Sequence, residues 1–165
     1  MEQLKLSDLL EEKLIYFDVE ADNRENLLVE LAGKLYEKGY VKNTYANAIL
    51  EREKQYPTGL PTKIVKIAVP HTDIEHVNKP CVLIAGLKKP VDFKDMGNGK
   101  DDIAVELVFM LSVNKPKEHL IVLQQIIGLF SDEETLMKIK NARCPKSMIE
   151  VIREGIYKKN KQYIE

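Results

Sequence analysis

Three histidines stand in the 165 residues, at positions 71, 76 and 119, and the first is placed where chemistry is easiest to build. Ile64 to Val69 reads as a short buried strand, apolar and β-branched between turn residues. Pro70 ends it, because proline has no N–H for a ladder and holds Val69 extended. His71 is therefore delivered just past a strand end, with Thr72 and Asp73 beside it. Strand ends beside loops are where α/β proteins place ligands and reactive groups. A neutral imidazole, with a reference pKa of about 6.5, offers a nucleophilic ring nitrogen near neutral pH. Taken alone, the residue could equally be a histidine that only hydrogen-bonds its own loop.

Two further side chains can join it. Tyr45, Ala48, Ile49 and Arg52 fall at i, i+3, i+4 and i+7 of one helix, so Arg52 extends an apolar stripe towards the break at Pro57. An arginine there either snorkels off the core or presents a guanidinium suited to bidentate contact with an oxyanion. His119 follows Pro116 in the first turn of another helix, where free amides and the dipole favour a nearby anion. A plain surface histidine at a helix start is the alternative. His76 is read as exposed and passive: the run from His71 to His76 matches no zinc signature, and neither HExxH nor CxxC accompanies it. No GxxxxGK[ST] loop is present, and the acidic residues between Asp95 and Asp102 lack EF-hand spacing. No metal or cofactor is therefore expected.

The elements that must hold these groups alternate. A weak helical turn is expected between Met1 and Glu12, started by Ser7 or Asp8. A strand over Leu14–Val19 leads through Asp22-Asn23 to a helix on Leu27, Leu28, Leu31, Ala32, Leu35 and Tyr36, stopped by Gly39. A second helix starts near Asn43-Thr44. The loop from Tyr56 to Thr62 is stiffened by two prolines, while Gly59 allows close backbone approach or a positive φ. Pro80–Leu87 is a strand, Lys88-Lys89-Pro90 a turn, and Asp95–Asp102 a surface loop. Ile103–Val113 is the strongest strand and is expected at the centre. A helix from Pro116, a capping box of Ser131 and Glu134 opening Glu133–Asn141, and a last helix from Pro145 follow, with Gly155 at its end. The alternation predicts an α/β three-layer sandwich, a mixed β-sheet flanked by helices on both faces.

Composition narrows the partners. Net charge is −1, with Lys and Arg dispersed, which argues against nucleic acid. No apolar run approaches the roughly 20 residues of a membrane span, and no signal-peptide pattern opens the chain. Direct membrane insertion is not expected. Cys81 and Cys144 form no CxxC pair and are expected as reduced, buried thiols of a cytoplasmic protein.

The run from Arg52 through Glu53 and Pro57-Thr58-Gly59-Leu60-Pro61-Thr62 to Ile67-Ala68-Val69-Pro70-His71-Thr72-Asp73 resembles the active-site region of phosphotransferase-system (PTS) enzyme IIA domains. These belong to the fructose/mannitol superfamily, with the galactitol-type branch as the nearest look-alike. Glu118-His119-Leu120 resembles their second histidine segment. The resemblance implies one EIIA domain over residues 1–156, followed by a charged, frayed tail over 157–165. It implies that His71 accepts a phosphoryl group, that His119 hydrogen-bonds it and that Arg52 supports it. Thr58, Thr62 and Thr72 become candidate hydroxyl donors to it, though each alone is more often a turn cap. Asp73 or a carbonyl would orient the other nitrogen of His71. The loop at Asp95–Asp102 would lie near the site. The implied partners are the phosphocarrier HPr as donor and a cysteine of EIIB as acceptor, ahead of a membrane EIIC component in galactitol-like uptake. Two other readings accompany this one: a nitrogen-type regulator binding partners by phosphorylation state, and a binding module with a silent histidine.

Overall fold

The computed structural model describes residues 4–164; residues 1–3 of the expected N-terminal turn and residue 165 of the expected tail lie outside it. Five strands form one sheet in the order β1-β4-β5-β3-β2, comprising β1 Ile15–Val19, β2 Gly59–Leu60, β3 Ile67–Ala68, β4 Cys81–Lys94 and β5 Asp102–Ser112. The β1–β4 and β3–β5 pairs are parallel, while β4–β5 and β2–β3 are antiparallel, so the sheet is mixed. The most apolar strand, β5, stands at its centre.

Side chains alternate across the central strands and build two cores. Leu83, Ala85, Val108 and Met110 meet α1 (Arg24–Glu37) and α2 (Tyr45–Gln55) on one face. Val82, Ile84, Leu107, Phe109 and Leu111 meet α3 (Pro116–Leu129), α4 (Glu133–Asn141) and α5 (Pro145–Ile164) on the other. The expected three-layer sandwich is the observed architecture. Among the described residues, no helix is long and apolar enough to cross a membrane.

Local chemistry explains where the elements begin and end, and where the sequence reading slips. Asn23 caps α1, its side chain accepting from Asn26 N–H at 2.8 Å, and Gly39 ends that helix at φ 82°. Gly59 meets the need for close approach, not positive φ: a Cβ there would sit 2.6 Å from the Lys94 carbonyl. Lys88-Lys89-Pro90 is not a turn. Leu87–Pro90 of β4 bulges opposite the single residue Glu106 of β5, between the Gly86–Leu107 and Val91–Val105 pairs, and the strand continues. The capping box at Ser131 does not form. Asp132 caps α4 instead, accepting from Thr135, while the Ser131 hydroxyl turns back to the Gly128 carbonyl.

The C-terminal tail also departs from expectation. Gly155 does not stop α5 but lets it cross its neighbours: a Cβ would meet Thr135 Cγ2 at 2.8 Å and Leu129 Cδ2 at 2.9 Å. Beyond it, Lys158 pairs with Asp132 and Glu134, and Lys159 with Ser131, so the charged stretch runs on as helix to Ile164. Cys81 is buried as expected, whereas Cys144 is exposed at the start of α5.

Candidate functional site

Three elements converge on one cleft. The backbone leaves β3 through Val69 and Pro70, and Leu111 N–H of β5 donates to the Pro70 carbonyl at 3.0 Å. That bond fixes the strand exit and sets His71 at the Ser112 end of β5. The last turns of α2 bring Arg52, and the first turn of α3 brings Pro116 and His119. Arg52, His71, Thr72, Asp73, Ile74, Pro116 and His119 line an open cleft of about 380 Å³.

The tautomer of His71 follows from one contact. Its Nδ1 lies 2.9 Å from the Val69 carbonyl oxygen. A carbonyl only accepts, so Nδ1 carries the proton and Nε2 keeps the lone pair. Burial lowers the His71 pKa, and the Arg52 guanidinium pushes the same way against the Val69 carbonyl and Asp73. His119 is held down to about 4, by burial first and then by His71 and Arg52, with Asp73 opposing. Both imidazoles are therefore neutral at pH 7, the form in which an imidazole can act as a nucleophile.

The surroundings favour an arriving negative charge. Arg52 Nη1 lies 3.9 Å from Asp73 Oδ1, and its guanidinium carbon stands 4.4 Å from the Tyr56 ring centroid. Arg52 Nε and His119 Nδ1 are buried and have no hydrogen-bond partner among the described residues. Buried polar atoms seldom stay unsatisfied. Two such atoms on residues lining one cleft suit a site that takes up an anion.

The other expected donors divide. Thr72 is buried and lines the cleft. Thr58 does not: its hydroxyl donates to the Glu53 carboxylate, 2.9 Å from each oxygen. Thr62 does not either, its hydroxyl being bound to the Val65 carbonyl. Thr58 is thus tied to Glu53, and Thr62 acts as a loop cap, as short Thr side chains near a free backbone group tend to. Asp73 pairs with Arg52, and the orienting group on His71 is the Val69 carbonyl. His76 lies outside the cleft and is half-buried instead of exposed, its Nδ1 2.8 Å from the Thr44 hydroxyl. The loop before Asp102 sits at the far end of β5 from His71, about 30 Å away at roughly 3.3 Å per residue, so it does not shape the site.

Sequence reasoning passed over Glu53. It is 4% exposed and grips Thr58 behind the cleft. The signal was its spacing: Tyr45, Ile49 and Glu53 are the buried residues of α2, four apart.

Comparison with known proteins gives the family of the chain. Residues 8–155 match the family described as the phosphoenolpyruvate-dependent sugar phosphotransferase system, EIIA 2. The chain is 38% identical over 100 residues to the transcriptional regulator ManR of Bacillus subtilis, covering 61% of this chain but only 14% of that protein. It is 28% identical over 106 residues to the galactitol-specific EIIA component of Escherichia coli K12, covering 64% and 70% of the two chains. The nitrogen regulatory protein of Bradyrhizobium diazoefficiens is 27% identical over 152 residues, covering 90% and 95%. Among solved structures, IIA mannitol from E. coli superposes with a TM-score of 0.69 at 25% identity over 87% of this chain and 98% of its own. The IIA mannitol chain solved in complex with phosphorylated IIB mannitol, also from E. coli, gives 0.70 at 23% identity over 88% and 97%. The match runs over most of the sequence and the sandwich agrees with the solved structures: the chain belongs to the EIIA 2 family of the phosphoenolpyruvate-dependent sugar phosphotransferase system, a family of phosphotransferase components.

Proposed function

We propose that this chain is a sugar-specific EIIA component, acting in the cytoplasm and carrying a phosphoryl group on His71 Nε2. Phospho-HPr is the donor. Nε2 forms a bond to phosphorus as the bond to the HPr histidine breaks, and the freed imidazole leaves with its electron pair. A cysteine thiolate of EIIB then attacks the same phosphorus, and His71 is restored for the next cycle. The covalent intermediate divides one transfer into two. Because the transition state is loose, the protein contributes mainly position and charge. Arg52 supplies that charge, neutral His119 offers a ring N–H beside it, and Thr72 supplies a hydroxyl at the cleft wall. The observation that carries the reading is the Val69 carbonyl on His71 Nδ1, which leaves Nε2 as the free nitrogen of a neutral ring. The IIA–phosphorylated IIB complex of E. coli supports EIIB as acceptor. EIIB in turn would serve an EIIC component during uptake of a galactitol-like carbohydrate, a choice that rests on the galactitol-specific relative.

Incubation with phosphoenolpyruvate, enzyme I and HPr tests it. Wild type should acquire one acid-labile phosphoryl group, and His71→Ala none. Full incorporation in His71→Ala would end the proposal.

A regulatory role has its own support. The nitrogen regulatory relative is matched over nearly all of its length. Onward transfer to candidate EIIB proteins separates the two: rapid transfer favours transport, whereas phosphorylation-dependent capture of a partner without transfer favours regulation.

A further inference from the structure

One buried carboxylate stands behind the cleft without touching it. Glu53 Oε1 accepts the Thr58 N–H at 2.9 Å, and the Thr58 hydroxyl lies 2.9 Å from both carboxylate oxygens. Thr58, 1% exposed, is thus held by its amide and its side chain together. Its carbonyl then accepts the Val69 N–H at 3.3 Å, and the Val69 carbonyl accepts His71 Nδ1–H at 2.9 Å. An unbroken hydrogen-bonded path runs from Glu53 through Thr58 and Val69 to the imidazole.

Burying a carboxylate is costly unless it is well bonded. Glu53 forms no salt bridge among the described residues. Burial pushes its pKa up to about 7, with the two Thr58 bonds and the charge of Arg24 pulling it down. Glu25, Glu51 and Lys54 are the other charged groups around the small cavity on its α1–α2 side. Capping a loop alone needs no carboxylate at this depth, since a hydroxyl or amide would serve.

We propose that Glu53 is a positioning residue for His71: it locks Thr58, and through the Thr58–Val69 backbone pair it holds the ring with Nδ1 protonated and Nε2 free. What Nε2 then does rests on the phosphoryl-acceptor reading; the orientation of the ring does not.

Two measurements test it on the full chain. The first is ¹⁵N NMR of the His71 ring at neutral pH, with His76 as an internal control. Wild type should show the Nδ1–H tautomer. Glu53→Ala should lose it to a mixture, and Thr58→Val should move the same way, while His76 stays unchanged. The second is the rate of phosphorylation by phospho-HPr. Glu53→Ala should lower kcat about 10- to 100-fold with little change in KM, the size expected of a misplaced reactive group. Glu53→Gln keeps one oxygen for Thr58 N–H and should recover most of that loss.

A wild-type His71 tautomer and rate in Glu53→Ala, alongside a lowered melting temperature, would reduce Glu53 to a loop cap and overturn the proposal. If Glu53→Ala does not fold, Thr58→Val decides: a wild-type tautomer and rate there would overturn it equally. Should wild type itself take no phosphoryl group, the acceptor reading falls, and the tautomer measurement still judges Glu53.

Discussion

The rings of His71 and His119 lie 5.1 Å apart between centroids, with their planes inclined at 59°. Burial, and after it the neighbouring His71, disfavour a proton on His119, which stays neutral down to about pH 4. A phosphoryl dianion on His71 would reverse that balance by placing negative charge beside His119. The pKa of His119, followed by NMR titration, should therefore rise by at least about one unit when His71 is phosphorylated. An unchanged value would mean that His119 does not face the phosphoryl group.

The same depressed pKa makes stability depend on pH in a definite direction. In the unfolded chain His119 binds a proton below about pH 6.5, whereas in the folded chain it does so only below about 4. Between these values the unfolded state holds more protons, so this residue's contribution rises with pH and is complete above 6.5. Glu53 acts oppositely. Its folded pKa of about 7 exceeds the ordinary glutamate value of 4.5, so its contribution falls as pH rises between them. Urea unfolding at pH 5 and pH 7.5 should show His119→Gln gaining on wild type at the lower pH. A gap that does not change with pH would contradict the depressed pKa.

Arg52 and His119 should separate in their kinetic effects. Arg52→Lys keeps the charge but loses the planar fork and the stacking on Tyr56, so phosphoryl transfer should fall about tenfold or more with the fold intact. His119→Ala should still accept a phosphoryl group while onward transfer to EIIB slows about 10²-fold, the usual scale for a lost proton-sharing or charge-stabilising group. Single-turnover assays of each half-reaction would check both, and unimpaired transfer by His119→Ala would leave that histidine a merely structural role.

Gly155 offers a test of the fold that leaves the cleft alone. Valine there must enter space already held by Thr135 and Leu129, and overpacking of that kind costs about 1–3 kcal/mol. Denaturant midpoints should drop accordingly, while the phosphorylation rate of the folded protein stays at the wild-type level. Wild-type stability would show that α4 and α5 can part without cost.

Much of this protein was legible along the chain. Hydrophobic period placed the helices and the central strand, because a helix or strand buries whichever face its side-chain repeat makes apolar. Pro70 announced the strand exit that presents His71, since proline's restrictions are local and covalent. Residues acting through neighbours far away in sequence were harder to judge. Whether Thr58 faced an anion or Glu53, whether Lys88–Pro90 turned or bulged, and whether Gly155 ended α5 or let it cross α4 each depended on what stood opposite. Local residue types determined which side chains could do chemistry and which segments would be regular. Only tertiary packing decided which of them meet, which ring nitrogen of His71 is free, and how far burial moves each proton, because desolvation and hydrogen bonding belong to the assembled surroundings and not to the residue.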